Sequence, residues 1–172
     1  MNCPTLLIVD DDATLLQTLG RALSGNYRVL LADGASEAFA ILGSESVDLV
    51  LSDYHMPEVS GLEFLKQVAI RHPDVMRLLF SAEPDVGMAI KAVNQGDVFR
   101  ILTKPVDLAE LQVTLHVATE RLQVERENRV LRAILQGHPL LLAEFEAQMA
   151  RSWACPPASH LRPEARSRAA NH

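Results

Sequence analysis

Cysteine is nearly absent from this chain: Cys3 and Cys155 are the two present in 172 residues, near opposite ends. They have neither the paired spacing of a disulfide framework nor the pattern of a thiolate metal site. Long hydrophobic runs are missing too. Nowhere do 18 apolar residues follow one another, and no basic region precedes an apolar stretch at the N-terminus, so neither a membrane span nor a signal peptide is expected and the chain reads as cytoplasmic. A basic excess is also lacking. Lys and Arg number 16 against 22 Asp and Glu, and the formal charge of -6 argues against nonspecific nucleic-acid binding, which draws on cations meeting phosphates. No internal repeat is visible. What is there is 48% apolar residues, enough to fill the core of one globular domain with an appendage.

Apolar runs of four to seven residues recur: "TLLIV" (5–9), "YRVLLA" (27–32), "DLVLS" (48–52), "MRLLFS" (76–81) and "VFRIL" (98–102). They read as buried strands. Between them lie segments of helical spacing, such as Leu15, Leu16, Leu19, Ala22 and Leu23, or Leu62, Leu65, Val68 and Ala69. Strand alternating with helix predicts an α/β fold, a five-stranded parallel doubly wound sheet joined by right-handed crossovers. Such sheets bind ligands beyond the carboxyl ends of their strands, where the strand order reverses. From Asp107 to Leu135 there is neither Gly nor Pro, which predicts one extended helix. Val117, Val124 and Leu131, in register with Arg121, Asn128 and Leu135, follow 3,4 spacing over residues 121–136 and just before. A short dimeric coiled coil and a single solvated helix both fit that stretch. "GHP" at 137–139 breaks the helix, a short amphipathic helix is expected within 137–151, and the Pro-, Ala-, Ser- and Arg-rich tail at 152–172 is expected to be disordered.

The chemistry collects at the ends of the apolar runs. "LLIVDDDATLL" places Asp10, Asp11 and Asp12 after the first, Asp53 ends the third, Ser81 the fourth, and Lys104-Pro105 follow the fifth. Two carboxylates about 4 Å apart near a surface repel by roughly 4 kcal/mol, so acids set side by side call for a cation or a proton. Two acids of the first run with Asp53 give about -3, which Mg²⁺ and Lys104 bring near zero; hard oxygen ligands suit Mg²⁺ better than softer metals. A carboxylate beside Mg²⁺ and an ammonium can attack a phosphoryl group, and Ser81 can offer that group a hydroxyl.

At this point the chain resembles the receiver domains of two-component response regulators. "LLIVDDDATLL", "DLVLSDYHMPEVSGLEFL", "LLFSAE" and "LTKP" stand in that family's order. The resemblance, assigned to residues 1–120, implies a flavodoxin-like sheet of order 2-1-3-4-5 and a phosphoacceptor role rather than an enzyme's. By the family's pattern Asp53 takes phosphoryl from a histidine kinase or phosphotransfer protein, and Asp11 ligates Mg²⁺ with Asp10 holding it through water. Asp53 and the backbone carbonyl of His55 are further ligands, Ser81 and Lys104 contact the phosphoryl group, and Lys104-Pro105 is a cis bond. Pro57 and Gly61 fit the loop after the acceptor. Ser81, Phe99 and Ile101 are the switch candidates: the usual aromatic, three before the lysine, is Ile101 here, and Phe99 lies two residues earlier. The implied output is altered binding of a downstream protein effector, with a homodimer, no nucleic acid and no membrane among the expectations. "AIKAVNQGDVFRILTKP" resembles receivers that often precede a cyclic di-GMP phosphohydrolase, and the residues after Pro105 are too few to make one.

A rival of another class also fits the opening stretch. "IVDDDATL" matches the first motif of haloacid-dehalogenase-type phosphatases, with Asp10 as nucleophile and Asp12 as general acid. It lacks the later acidic pair at a strand end, since the acids that come next after Lys104, Asp107 and Glu110, fall in a helix, and it leaves Asp53 idle. On the receiver reading Asp12 is a helix cap.

Overall fold

The computed structural model describes residues 3–82, 92–105 and 107–135. Within them the short apolar runs, too brief for helices and without helical periodicity, form β1 (Thr5–Val9), β2 (Arg28–Ala32), β3 (Leu49–Asp53), β4 (Met76–Ser81) and β5 (Arg100–Thr103). The segments of 3.6 periodicity form α1 (Ala13–Leu23), α2 (Ala35–Ser44), α3 (Gly61–Arg71) and α4 (Leu108–Leu135). All strand pairs are parallel, in the order β2-β1-β3-β4-β5, which is the doubly wound, flavodoxin-like arrangement. The order reverses between β1 and β3, and the crevice expected of such a sheet opens there at the carboxyl ends.

Alternation along the strands divides the core. Leu6 and Ile8 of β1 face Leu16, Leu19 and Leu23 of α1 and Leu111, Leu115, Ala118 and Leu122 of α4. Leu7 and Val9 face Ala38 and Leu42 of α2 and Phe64, Leu65 and Val68 of α3. With helices on both faces the central strands are buried throughout, which is why they read as continuous apolar runs. β2 departs from that reading. It lies at the sheet edge, and Val29, Leu30 and Leu31 are only half-buried.

The last strand begins two residues later than its apolar run. Arg77 of β4 explains this: its guanidinium donates to the carbonyls of Asp97 (2.9 Å), Gly96 (2.9 Å) and Val75 (2.6 Å), while its own carbonyl accepts from Phe99 (2.7 Å). Those groups are held in a turn, with Gly96 at φ +77°, before β5 can start. Burial lowers the Arg77 pKa, with Asp97 and Glu125 opposing. Phe99 packs half-buried on the α1 and α4 side and Ile101 on the opposite side.

Helix α4 runs uninterrupted for 28 residues. Past the core it is tied to the other end of the sheet, Arg126 donating to Asp48 (2.7 Å) just before β3 and Arg129 to Asp74 just before β4. The segments expected at 137–151 and 152–172 lie outside the described residues. No described helix is long and apolar enough to cross a membrane.

Candidate functional site

A parallel sheet brings all its strand ends to one edge, so residues far apart in sequence meet there. Asp10 follows β1, Asp53 and Ser81 are the last residues of β3 and β4, and Lys104 follows β5. The Lys104 ammonium sits between two carboxylates, 2.6 Å from Asp53 Oδ1 and 3.0 Å from Asp10 Oδ2. Its backbone N–H donates to the Ser81 carbonyl (2.9 Å), continuing the β4–β5 ladder, and the Lys104–Pro105 peptide is cis. Burial alone would lower the Lys104 pKa, but the hydrogen bonds its ammonium donates to Asp53 and Asp10, together with their charges, outweigh it, and the pKa is raised.

Asp10 and Asp53 are buried, 2% and 5% exposed, whereas Asp11 is open to solvent. Carboxylate oxygens of the three lie within 4.8 Å of one another. One ammonium against three carboxylates leaves a charge of about -2 in a half-buried crevice, the complement of one hard divalent cation. The remaining oxygens are held by backbone: Asp10 Oδ1 accepts from the N–H of Asp12 (2.9 Å) and Asp53 Oδ2 from that of His55 (2.8 Å). The His55 ring is exposed and stands edge-on to Tyr54, with centroids 4.8 Å apart.

Asp12 is turned to a different task. Its carboxylate accepts from the N–H groups of Thr14 (2.8 Å) and Leu15 (3.2 Å) and caps α1, so the phosphatase reading, which needs it beside Asp10 as an acid, is not favoured. Ser81 is 1% exposed, and its hydroxyl has no hydrogen-bond partner among the described residues. An unsatisfied buried hydroxyl costs roughly 1–3 kcal/mol, a cost that an incoming ligand oxygen removes.

Gly61 fixes the loop after Asp53. Its N–H donates to the Tyr54 carbonyl (2.9 Å), and a Cβ there would lie 1.8 Å from the Asp53 carbonyl oxygen. Only glycine lets α3 start this close to the end of β3. Glu58, at φ +69°, completes the turn, and Ser60 caps α3 by accepting from Glu63 N–H (3.3 Å). Asp10, Asp11, Asp53, Lys104 and Ser81 thus share one edge, while Phe99 and Ile101 lie at the start of β5, away from it. Two contributors could not be read from residue types, the Asp12 and His55 amides, because any residue carries an N–H.

Residues 6–116 match the response regulator receiver domain. The chain belongs to that family. It is 36% identical over 142 residues to the transcriptional regulatory protein GlrR of Escherichia coli (strain K12), an alignment covering 82% of this chain and 32% of that one. To the DNA-binding transcriptional regulator NtrC of Salmonella typhimurium it is 34% identical over 123 residues, covering 71% and 26%. Among solved structures, the signal receiver domain of an HD domain-containing protein from Pseudomonas fluorescens Pf-5 superposes with a TM-score of 0.68 at 36% identity, covering 74% of this receiver chain and 94% of that one. The receiver chain spans about a third or less of the length of the curated relatives it matches, so the DNA binding in the name of one of them describes a much longer protein.

Proposed function

We propose that Asp53 accepts a phosphoryl group from the phosphohistidine of a histidine kinase or phosphotransfer protein, and that the phosphorylated chain binds a downstream protein effector differently. The observation that carries this reading is the Lys104 ammonium lodged between Asp53 and Asp10 with Asp11 alongside. A structural ion pair needs one acid per cation, and this site holds three.

An oxygen of Asp53 attacks phosphorus as the P–N bond to the donor imidazole breaks, the imidazole leaves with the bonding pair, and an acyl phosphate remains. Lys104 and the Ser81 hydroxyl donate to the transferred oxygens. The donor set fits Mg²⁺, all oxygen and mostly anionic: Asp10, Asp11, Asp53 and the His55 carbonyl would hold it. When bound, the ion supplies positive charge that offsets repulsion between the anionic acceptor and the anionic phosphoryl group. Drawing Ser81 toward that group shifts a two-state population of the β4–β5 pair, beside which Phe99 packs on one side of the sheet and Ile101 on the other. We assign the receiver to residues 1–120, in the cytoplasm, with one phosphoryl per chain rather than enzymatic turnover, and with no contact to nucleic acid.

Incubation with acetyl phosphate and Mg²⁺ tests this. Intact mass is expected to rise by one phosphoryl group in the wild type and not in Asp53→Asn; an unmodified wild type, or an Asp53→Asn chain that still labels, overturns the assignment.

A further inference from the structure

The buried stripe of α4 continues past the sheet. Leu111, Leu115, Ala118 and Leu122 pack in the core, Arg126 and Arg129 reach Asp48 and Asp74 at the N-terminal edge, and the same stripe then runs on through Val130 and Ala133. Val130 is half-buried and Ala133 is 5% exposed, yet Ala133 lies beyond both arginine pairs and neither residue belongs to a hydrophobic cluster of the domain. A side chain so placed is covered by something other than the domain's own core. The nearest chain is the stretch that leaves α4 at Leu135, two residues further on.

We propose that residues 139–151 form a second helix that turns back through Gln136, Gly137 and His138 and docks antiparallel on this end of α4, closing a helical hairpin. Gly137 suits the left-handed position that ends a helix and Pro139 the first position of the next, and so short a link sets consecutive helices antiparallel. The spacings then match. Going back along α4 from Ala133, the stripe steps by three to Val130 and by four to Arg126; going forward from Leu142, the apolar residues step by three to Phe145 and by four to Met149. Leu142 thus meets the small Ala133, Phe145 meets Val130, and Met149 lies along the aliphatic stem of Arg126, whose guanidinium stays on Asp48. On one flank the charges are opposite, Glu144 against Arg132 and Arg151 against Glu125. On the other, Glu146 and Glu127 stand at the solvent margin, where water screens them, so the apolar contacts carry the docking.

A helix of this length is marginal alone in water, and burial of its apolar stripe on α4 is what stabilises it. A segment joined to α4 by so short a link also acts at a high effective concentration, which favours it over any free partner for the same surface. The hairpin extends the core beyond the N-terminal edge of the sheet, and it does not depend on the phosphoacceptor role of Asp53.

Thiol accessibility in the full 172-residue chain tests this. In a Cys3→Ser, Cys155→Ser background, Ala133→Cys is expected to react slowly with a water-soluble maleimide. Adding Phe145→Asp is expected to speed that reaction roughly tenfold while the domain still unfolds in one cooperative transition. Ala133→Cys with Leu142→Cys is expected to oxidise to a disulfide within one chain, whereas Ala133→Cys with Met149→Cys, about two turns out of level, is not. A fast Ala133→Cys thiol, a rate that Phe145→Asp leaves unchanged, a disulfide that forms as readily to position 149, or one that joins two chains overturns the proposal.

Discussion

The two edges of the parallel sheet carry acids of the same kind under opposite electrostatic regimes. At the N-terminal edge Asp48 has Arg126 on one oxygen and the Thr5 N–H on the other, each at 2.7 Å, and Asp74 has Arg129, so every acid has its own cation. At the C-terminal edge Lys104 is the one cation among the described residues that pairs with the acids, touching Asp10 and Asp53 with Asp11 alongside. The first arrangement is what a fold builds when it only has to stand. The second is under-neutralised, and a chain tolerates that where an outside charge is to be bound. Charge balance, more than the presence of aspartate, separates the working edge from the supporting one.

The largest break in that contrast comes from removing the shared cation. Lys104→Met leaves Asp10 and Asp53 buried together and is expected to cost about 2–4 kcal/mol in metal-free urea unfolding, with part of the loss recovered in Mg²⁺. Because the folded pKa of Lys104 is raised above its ordinary 10.5, its stabilising contribution is complete below that value and disappears as pH rises through the folded pKa. The difference between wild type and variant therefore stays level around neutrality and closes only in strong alkali.

Arg126→Met tests the balanced edge and is expected to cost about 1–2 kcal/mol, because water reaches the half-buried Asp48 in place of the guanidinium. Mg²⁺ does not alter that loss. The smallest effect sharpens the comparison in the other direction. Asp11→Asn removes an exposed member of the crowded edge and is expected to stabilise the metal-free protein by up to about 1 kcal/mol, while the rise in Tm that Mg²⁺ gives the wild type disappears. A metal-free Asp11→Asn chain less stable than wild type would show that the edge is not crowded after all.

Much of this was legible in the amino-acid order. Strand ends are visible because apolar runs stop at charged or polar residues, and Asp10, Asp11, Asp53, Ser81 and Lys104 all stand at or just after such stops. The cap role of Asp12 is local, read from the helix that begins just after it. The supporting edge was not legible. Arg126 meets Asp48 across 78 positions and Arg129 meets Asp74 across 55, and a charged residue on a helix carries no mark of which distant acid it will face. Nor did the run "VFRIL" reveal that Val98 and Phe99 precede the strand, since the Arg77 clamp holding them back is also a long-range contact. The half-exposure of β2 comes from its place at the edge of the sheet, a property of strand order rather than of its own residues.

The 28 residues of α4 give it a reach of about 42 Å, against about 17 Å for a five-residue strand such as β3. Its first turns come directly after the loop that carries Lys104, and 21 residues on from Leu108 the helix is still fastened, by Arg126 to Asp48 and by Arg129 to Asp74. The helix is thus a brace laid along the whole length of the strands, one rigid element joining the crowded edge of the sheet to the balanced one, so that neither edge can shift without loading the other.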